Sequence, residues 1–211
     1  MFLNIIAGGK HRQVHLNSTE CLVVTLLMGL QCLRRAYETA FIQIFSRNSR
    51  LDIKHYCLSN LYYILIMPLL VANAEGFIGD SSPSPINFSK LSVIQYISIG
   101  VFLFCWWQQY QSNLILIRLR KNFDTRKQIT EKHLLPRGGY FELISSPHMF
   151  FEIGLYVSLL FGFFVSNVTW WIVVVFVLSN QIYSGLQTHI WYMENFKNYP
   201  RNRKAILPFI L

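Results

Sequence analysis

Five apolar stretches leave this chain little choice of fold. They cover roughly residues 21–45, 58–74, 91–117, 149–165 and 168–183, the last with an extension to 189. A helix needs about twenty residues to cross the hydrocarbon core of a bilayer, and each stretch reaches or approaches that length. Charge is scarce around them, with 14% of residues charged against 53% hydrophobic, whereas soluble domains are about a quarter charged. The expected fold is all-α: a polytopic membrane bundle of about five transmembrane helices, with no separate soluble domain.

The net charge of +9 is distributed as topology requires. Arg47, Arg50 and Lys54 follow the first stretch. Arg118, Arg120, Lys121, Arg126, Lys127, Lys132 and Arg137 follow the third, and Lys197, Arg201, Arg203 and Lys204 follow the fifth. The two intervening loops hold only Glu75, Asp80 and Lys90, and then no charge at all. With alternating spans every basic loop falls on one side, which the positive-inside rule makes cytoplasmic. The C-terminus is then cytoplasmic and residues 1–20 form a lumenal lead-in, although Lys10 and Arg12 weigh against that side. Basic residues placed this way set orientation, so no nucleic-acid partner is expected.

Sequons at Asn17, Asn87 and Asn167 all fall on the lumenal side, and only Asn17 lies far enough from the membrane to carry a glycan. Cys21, Cys32, Cys57 and Cys105 show neither a disulfide framework nor zinc spacing, so no metal is expected. Residues 76–85, rich in Ser and Pro, read as a lumenal connector. Residues 190–211 are aromatic and basic, the composition of an interfacial helix on the cytoplasmic leaflet, with membrane lipid as its partner.

Polar residues inside or beside the spans carry the functional signal, because ionisable groups in a membrane face a partner or an aqueous cavity. Residues 134–152 combine Pro136, Gly138-Gly139, Ser145-Ser146-Pro147, His148 and Glu152. A Gly-Gly pair allows backbone conformations closed to residues with a Cβ. Pro147 presets a turn or helix start, with His148 and Glu152 one turn apart on one face. Arg34, Arg35 and Glu38 sit together on the first span, and Arg34 and Glu38 have the spacing of a salt bridge. Two arginines with one glutamate leave a positive surplus, which favours an anionic ligand. Asn113, Arg118, Arg120 and Lys121 end the third span, where arginines suit bidentate phosphate contacts. Glu152 can accept from a ligand amide or ribose hydroxyl, or pair with an arginine of another span, and His189 lies at the inner end of the fifth span. These groups are expected to share one polar cavity open to the cytoplasm. No Rossmann, P-loop, HExxH or GxSxG pattern occurs.

The 134–152 stretch, the run from Asn113 to Lys121, and the tail Tyr199-Pro200 followed by Arg203-Lys204-Ala205-Ile206-Leu207-Pro208-Phe209 resemble the steroid 5α-reductase family. Leu33-Arg34-Arg35 with Glu38, Phe141-Glu142 before Ser145-Ser146-Pro147, and Asn167-Val168-Thr169-Trp170-Trp171 resemble its polyprenol reductase branch. The resemblance implies an endoplasmic-reticulum membrane enzyme that uses NADPH to reduce a carbon–carbon double bond. In this branch the substrate is a long-chain polyprenol or polyprenal, on the route to dolichol for protein N-glycosylation. It implies cofactor contacts at Asn113, Arg120, His148, Glu152 and Tyr199, with Arg137 standing in for an arginine usual at Leu134; the positive surplus on the first span adds Arg35 to the expected cofactor contacts. His189 is the implied catalytic residue. Ile190 replaces an arginine of steroid-reducing members, which argues against a steroid.

The same resemblance implies about two further spans before the first one here, which supply a Gln-Glu pair for substrate binding and proton donation. Cys32 stands where steroid-reducing members place an assisting tyrosine. Residues 21–189 are then expected to form the C-terminal part of a seven-span reductase domain, and 190–211 its cytoplasmic tail. The alternative is a truncated, inactive short form acting only as a membrane interaction protein.

Overall fold

The first helix, α1 (Ser18–Tyr37), is fixed at its start by a capping box. The Asn17 side chain accepts from Glu20 N and the Glu20 carboxylate from Asn17 N, both at 2.9 Å, so two otherwise orphaned donors are satisfied. A computed structural model describes residues 14–42, 53–72, 74–77, 81–119 and 134–207. After α1 a π-helical turn covers Glu38–Ile42. Then follow α2 (Ile53–Val71), a 3-10 turn (Phe88–Lys90), α3 (Val93–Arg118), a second 3-10 turn (Gly139–Glu142), α4 (Pro147–Phe163) and α5 (Val168–Asn195). Two isolated parallel bridges, Leu16 with Ala74 and Ile144 with Lys204, are the strand-like pairing among the described residues.

These helices match the five apolar stretches, and local chemistry explains where they begin. Ser92 caps α3 in a second capping box with Gln95. Pro147 opens α4 from its first turn, where the missing N–H costs nothing. Asn167 caps α5 through Trp170 N and is 2% exposed, so this sequon is closed to glycosylation. Of the five, α5 is long and apolar enough by itself to cross a membrane, while α4 is a shorter apolar helix of 17 residues. The tail departs from expectation. Residues 190–195 extend α5, but 196–207 run as turns that fold back, burying Arg203, Ala205 and Ile206. Backbone pairing across Ile144 and Lys204 draws the tail inward and replaces the interfacial helix expected there.

Packing is tightest between α3 and α4. Cys105 lies against Gly154 and Ser98 against Gly162, so small residues let the two backbones approach closely. Phe164 stacks on Trp170 at 4.5 Å and Tyr140 meets Phe151 edge-on at 4.9 Å, filling the rest of the core.

One end of the bundle is fastened by short polar contacts. Glu75 Oε2 accepts from Ser18 N (3.2 Å), Ser84 N (3.1 Å) and Ser84 Oγ (2.6 Å), tying α1 to the chain after α2. Thr19 Oγ1 accepts from Asn87 N at 2.9 Å, and Gln95 Nε2 donates to Glu20 Oε1 at 2.5 Å. The hydrogen bonds from Ser84, then those from Ser18, hold the Glu75 carboxyl below its ordinary pKa.

Two outcomes are expected. A Cβ on Gly162 would overlap Ser98 Cβ at 2.5 Å, so Gly162→Ala lowers stability by about 1–3 kcal/mol. Thermal unfolding in detergent followed by circular dichroism reads this loss, and adding Ser98→Gly restores most of it. A depressed carboxyl stabilises the fold above its unfolded pKa of about 4.3 and loses that contribution as pH falls through the lower folded value. The melting temperature of the wild-type chain therefore drops more steeply through this acid window than that of Glu75→Gln.

Candidate functional site

The opposite end of the bundle gathers the polar side chains. On α1 and the π-helical turn that continues it, Gln31, Arg34 and Glu38 recur at three- and four-residue spacing. On α3 Gln109 and Asn113 do the same, and on α4 His148 and Glu152, so each set lies on one helical face. The three faces turn toward one another. Glu152 Oε2 accepts from Gln31 Nε2 at 3.1 Å and from Gln109 Nε2. Gln109 Oε1 in turn accepts from Gln31 Nε2 at 3.2 Å and from Arg34 Nη2. Arg34 Nη2 also donates to Gln31 Oε1 at 2.8 Å, and Nη1 donates to the Trp106 carbonyl. The guanidinium lies 5.1 Å from the centre of the Trp106 ring.

Glu38 closes this network from the π-helical turn. Its Oε1 lies 3.5 Å from Arg34 Nε, and its Oε2 accepts from Arg35 Nη1 and Asn113 Nδ2, both at 3.0 Å. Glu38 is fully buried. The expected Arg34–Glu38 pair is therefore present, but the expected surplus of positive charge is not. Glu152 joins the same network through the two glutamines, so two guanidinium groups meet two carboxylates and the buried cluster is balanced. Only Arg35, with 31% of its side chain exposed, faces outward from it.

A second group lies where the tail docks. Ser145 N donates to Lys204 O at 2.8 Å, Ser146 N to Ala205 O at 3.2 Å and Lys204 N to Leu143 O at 3.0 Å. This pairing brings Ser145 Oγ to 2.7 Å from His189 Nδ1 and 2.5 Å from Tyr199 Oη, while Tyr199 Oη is 2.8 Å from His189 Nδ1. Burial pushes the Tyr199 hydroxyl above its ordinary pKa, against the opposing effects of the Ser145 hydrogen bond and the Arg203 charge. Arg203, 1% exposed, lies 5.5 Å from the Tyr199 ring centre, donates to Pro136 O at 3.1 Å and approaches Glu142. The Gly-Gly pair behaves as its sequence requires: Gly138 and Gly139 have φ of 91° and 55°, and Gly138 N donates to Glu142 Oε1 at 2.6 Å.

The sequence-predicted residues thus divide into two neighbouring sets. Arg35, Asn113 and Glu152 belong to the interhelical network, with His148 one turn ahead of Glu152 on α4. His189 and Tyr199 belong to the tail set, and Arg137 is exposed on the segment that Arg203 anchors through Pro136. Arg120 lies outside the described residues, as do Lys121 and the basic residues after it up to Lys132. Gln31 and Gln109 take part without having been singled out, and Ser145, noted in sequence only as part of the Ser145-Ser146-Pro147 turn, takes part through its side chain. For the glutamines a signal existed: Gln31 falls three residues before Arg34 and Gln109 four before Asn113, each on the face that already carried charge.

Among the described residues, the buried Ser146 Oγ, His148 Nδ1 and Trp106 Nε1 beside these groups find no hydrogen-bond partner. Buried polar atoms left in this way are costly, and their mixture of donors and acceptors fits a ligand bearing amide and hydroxyl groups. Exposed arginines nearby suit anionic groups at its edge.

Sequence comparison places the chain in a family. Residues 76–211 match the sequence pattern of the 3-oxo-5-alpha-steroid 4-dehydrogenase family, and the chain belongs to that family. It is 44% identical over 211 residues to the polyprenal reductase of Drosophila melanogaster, covering all of this chain and 64% of that protein. It is 32% identical to the polyprenal reductase of Danio rerio (96% of this chain, 63% of that one) and 33% identical to that of Homo sapiens (89% and 59%). The chain thus spans less than two thirds of each of these relatives. The resemblance drawn from the tail and from residues 134–152 stands, at the level of both family and branch.

The network makes a direct prediction. Gln109→Leu removes the donor to Glu152 and the acceptor for Arg34 together, and should cost about 1–3 kcal/mol. Gln31→Leu should cost a similar amount. Because both glutamines serve the same two charges, the double variant should lose less than the sum, as read by equilibrium unfolding in mixed micelles.

Proposed function

We propose that this protein is an NADPH-dependent reductase that saturates the α-isoprene double bond of polyprenal, on the route to dolichol for protein N-glycosylation. It would act as a multi-pass protein of the endoplasmic reticulum membrane with its C-terminus in the cytoplasm, the 21–189 region forming the reductase domain and 190–211 its tail. The observation that carries this reading is the convergence of two polar groups at one end of an otherwise apolar bundle, in a chain that belongs to this family. The relatives' shared name supports the substrate class. Outward-facing apolar residues such as Ile94, Ile97 and Val101 on α3, and Ile172, Val175 and Phe176 on α5, suit a hydrocarbon surrounding.

Bound NADPH supplies a hydride. The protein's own groups bind, orient and exclude water. Arg35, with Arg118 and Arg137 exposed at the same end and Arg120 between them in sequence, would hold phosphates, for which a guanidinium fork is well shaped. Glu152, His148 and Asn113 would take the amide and hydroxyl groups, and His148 Nδ1 is one of the unpartnered atoms found there. His189 and Tyr199 would face the reacting end.

The chemistry favours the aldehyde as substrate. A double bond conjugated with a carbonyl moves charge onto oxygen as hydride adds, and a positioned donor stabilises it there. The double bond of a free polyprenol has no such sink. Ile190, next to His189 and 42% exposed, leaves an apolar surface where steroid-reducing members are expected to present an arginine.

NADPH titration of the detergent-purified 211-residue chain tests the reading. Saturable binding is expected, weakened roughly 10- to 100-fold by Arg35→Ala, in line with about 1.5–3 kcal/mol for a hydrogen bond to a charged group, and weakened also by Glu152→Ala. A monodisperse, helical sample that shows no saturable binding would reject it. In proteoliposomes with NADPH, polyprenal should be consumed and polyprenol left unchanged.

A further inference from the structure

Four short contacts meet around Ser145, and counting their hydrogens leaves one arrangement. The contacts are Ser145 Oγ to Lys204 O (2.9 Å), Ser145 Oγ to Tyr199 Oη (2.5 Å), Ser145 Oγ to His189 Nδ1 (2.7 Å) and Tyr199 Oη to His189 Nδ1 (2.8 Å). A carbonyl oxygen only accepts, and a serine and a tyrosine hydroxyl carry one hydrogen each. Suppose Nδ1 carries no hydrogen. If Tyr199 donates to Nδ1 and Ser145 to Lys204 O, then the Ser145–Tyr199 and Ser145–His189 contacts both press lone pairs together. If instead Ser145 donates to Nδ1 and Tyr199 to Ser145, the contacts of Ser145 with Lys204 O and of Tyr199 with His189 are left in the same state. With a hydrogen on Nδ1 every contact is satisfied. Ser145 donates to Lys204 O, Tyr199 donates to Ser145 Oγ, and Nδ1–H is shared between the two hydroxyl oxygens.

We propose that Ser145, acting with Tyr199, is a positioning residue that holds His189 as the Nδ1–H tautomer and leaves Nε2 as the nitrogen that meets a ligand. Nε2 makes no hydrogen bond to a described residue. The neutral ring therefore offers a lone pair at Nε2 to a hydroxyl or amide N–H of the ligand. A second proton can enter only at Nε2, where the ring then becomes a donor to an oxygen while the Nδ1 side stays as it is. Arg203 and Lys204 are the charged groups whose fields reach the ring. Which ligand Nε2 meets rests on the reductase reading above; the tautomer itself does not.

The test is nitrogen-15 NMR of the full 211-residue chain labelled at histidine, at a pH where the ring is neutral, with the His189 signals identified by their loss in His189→Gln. The wild type should show a protonated Nδ1 and an unprotonated Nε2. Ser145→Ala leaves the Tyr199 hydrogen without its acceptor, so it turns onto Nδ1 and the pattern inverts. Ser145→Thr, which keeps the hydroxyl, and Tyr199→Phe, which leaves Ser145 Oγ to accept, should both retain the wild-type pattern. A wild-type signal with the hydrogen on Nε2 overturns the proposal, as does the same pattern in Ser145→Ala and Ser145→Thr. If Ser145→Ala does not fold, the wild type and Tyr199→Phe still decide the matter. NADPH titration of the same samples separates the two claims: the expected tautomer without binding counts against the reductase reading alone, and binding with the opposite tautomer counts against this inference alone.

Discussion

Burying ionised groups among apolar helices is the constraint that organises this structure. Arg34, Glu38 and Glu152 are nearly or wholly withdrawn from solvent, and an unpaired charge in such a place carries a desolvation penalty of several kcal/mol. The chain answers by bringing α1, α3 and α4 together around them. The Gln31 and Gln109 amides act as couplings, each donating to Glu152 and accepting from Arg34, so that groups of opposite sign are joined without direct contact. Because the three helices each contribute a member, the cluster fixes their register. Hydrophobic packing alone, which tolerates sliding of one apolar surface on another, would leave that register looser.

The two ends of the bundle solve different problems. At one end Glu75 and the caps of α1 and α3 use short-range hydroxyl, amide and carboxylate contacts to fasten chain ends, and each of these contacts has an evident structural task. At the other end several buried polar atoms have none, although the same fold could have filled their places with apolar side chains. The docked tail explains why such a region is stable. Ile206 sits against Gly185, where only a residue without a side chain leaves room, and parallel pairing with the Ile144 segment holds the tail in line.

Much of the helical framework was legible because its signals are local. Apolar runs of helical length, Asn17 with Glu20, Ser92 with Gln95, and Pro147 before an apolar run each act within a few residues. The positive φ of Gly138 and Gly139 was legible for the same reason. What the sequence hid was long-range. The pairing of Ile144 with Lys204 spans about sixty positions and has no pattern of its own, so an aromatic, basic tail read as a surface helix. Counting charge on Arg34, Arg35 and Glu38 alone left out Glu152, whose pairing with an arginine of another span the sequence left open and whose link through Gln31 and Gln109 it did not show. Glutamine carries no charge to draw notice in an apolar run, and its role appears only when three helices are seen together.

The two polar groups are close in sequence as well as in space, and the link is short. Ser145 belongs to the tail group and His148 opens the face that leads to Glu152, with Ser146 and Pro147 between them. Ser146 is held by Ala205 O, and Pro147 has its φ fixed by its own ring. Four consecutive residues thus couple the docked tail to the first turn of α4 with little freedom between. A shift of the tail that moved Lys204 would act on Ser145 directly and on the position of His148 through this rigid turn. The orientation of His189 and the placement of His148 and Glu152 are therefore one geometric setting, determined jointly by where the tail pairs and where α4 begins.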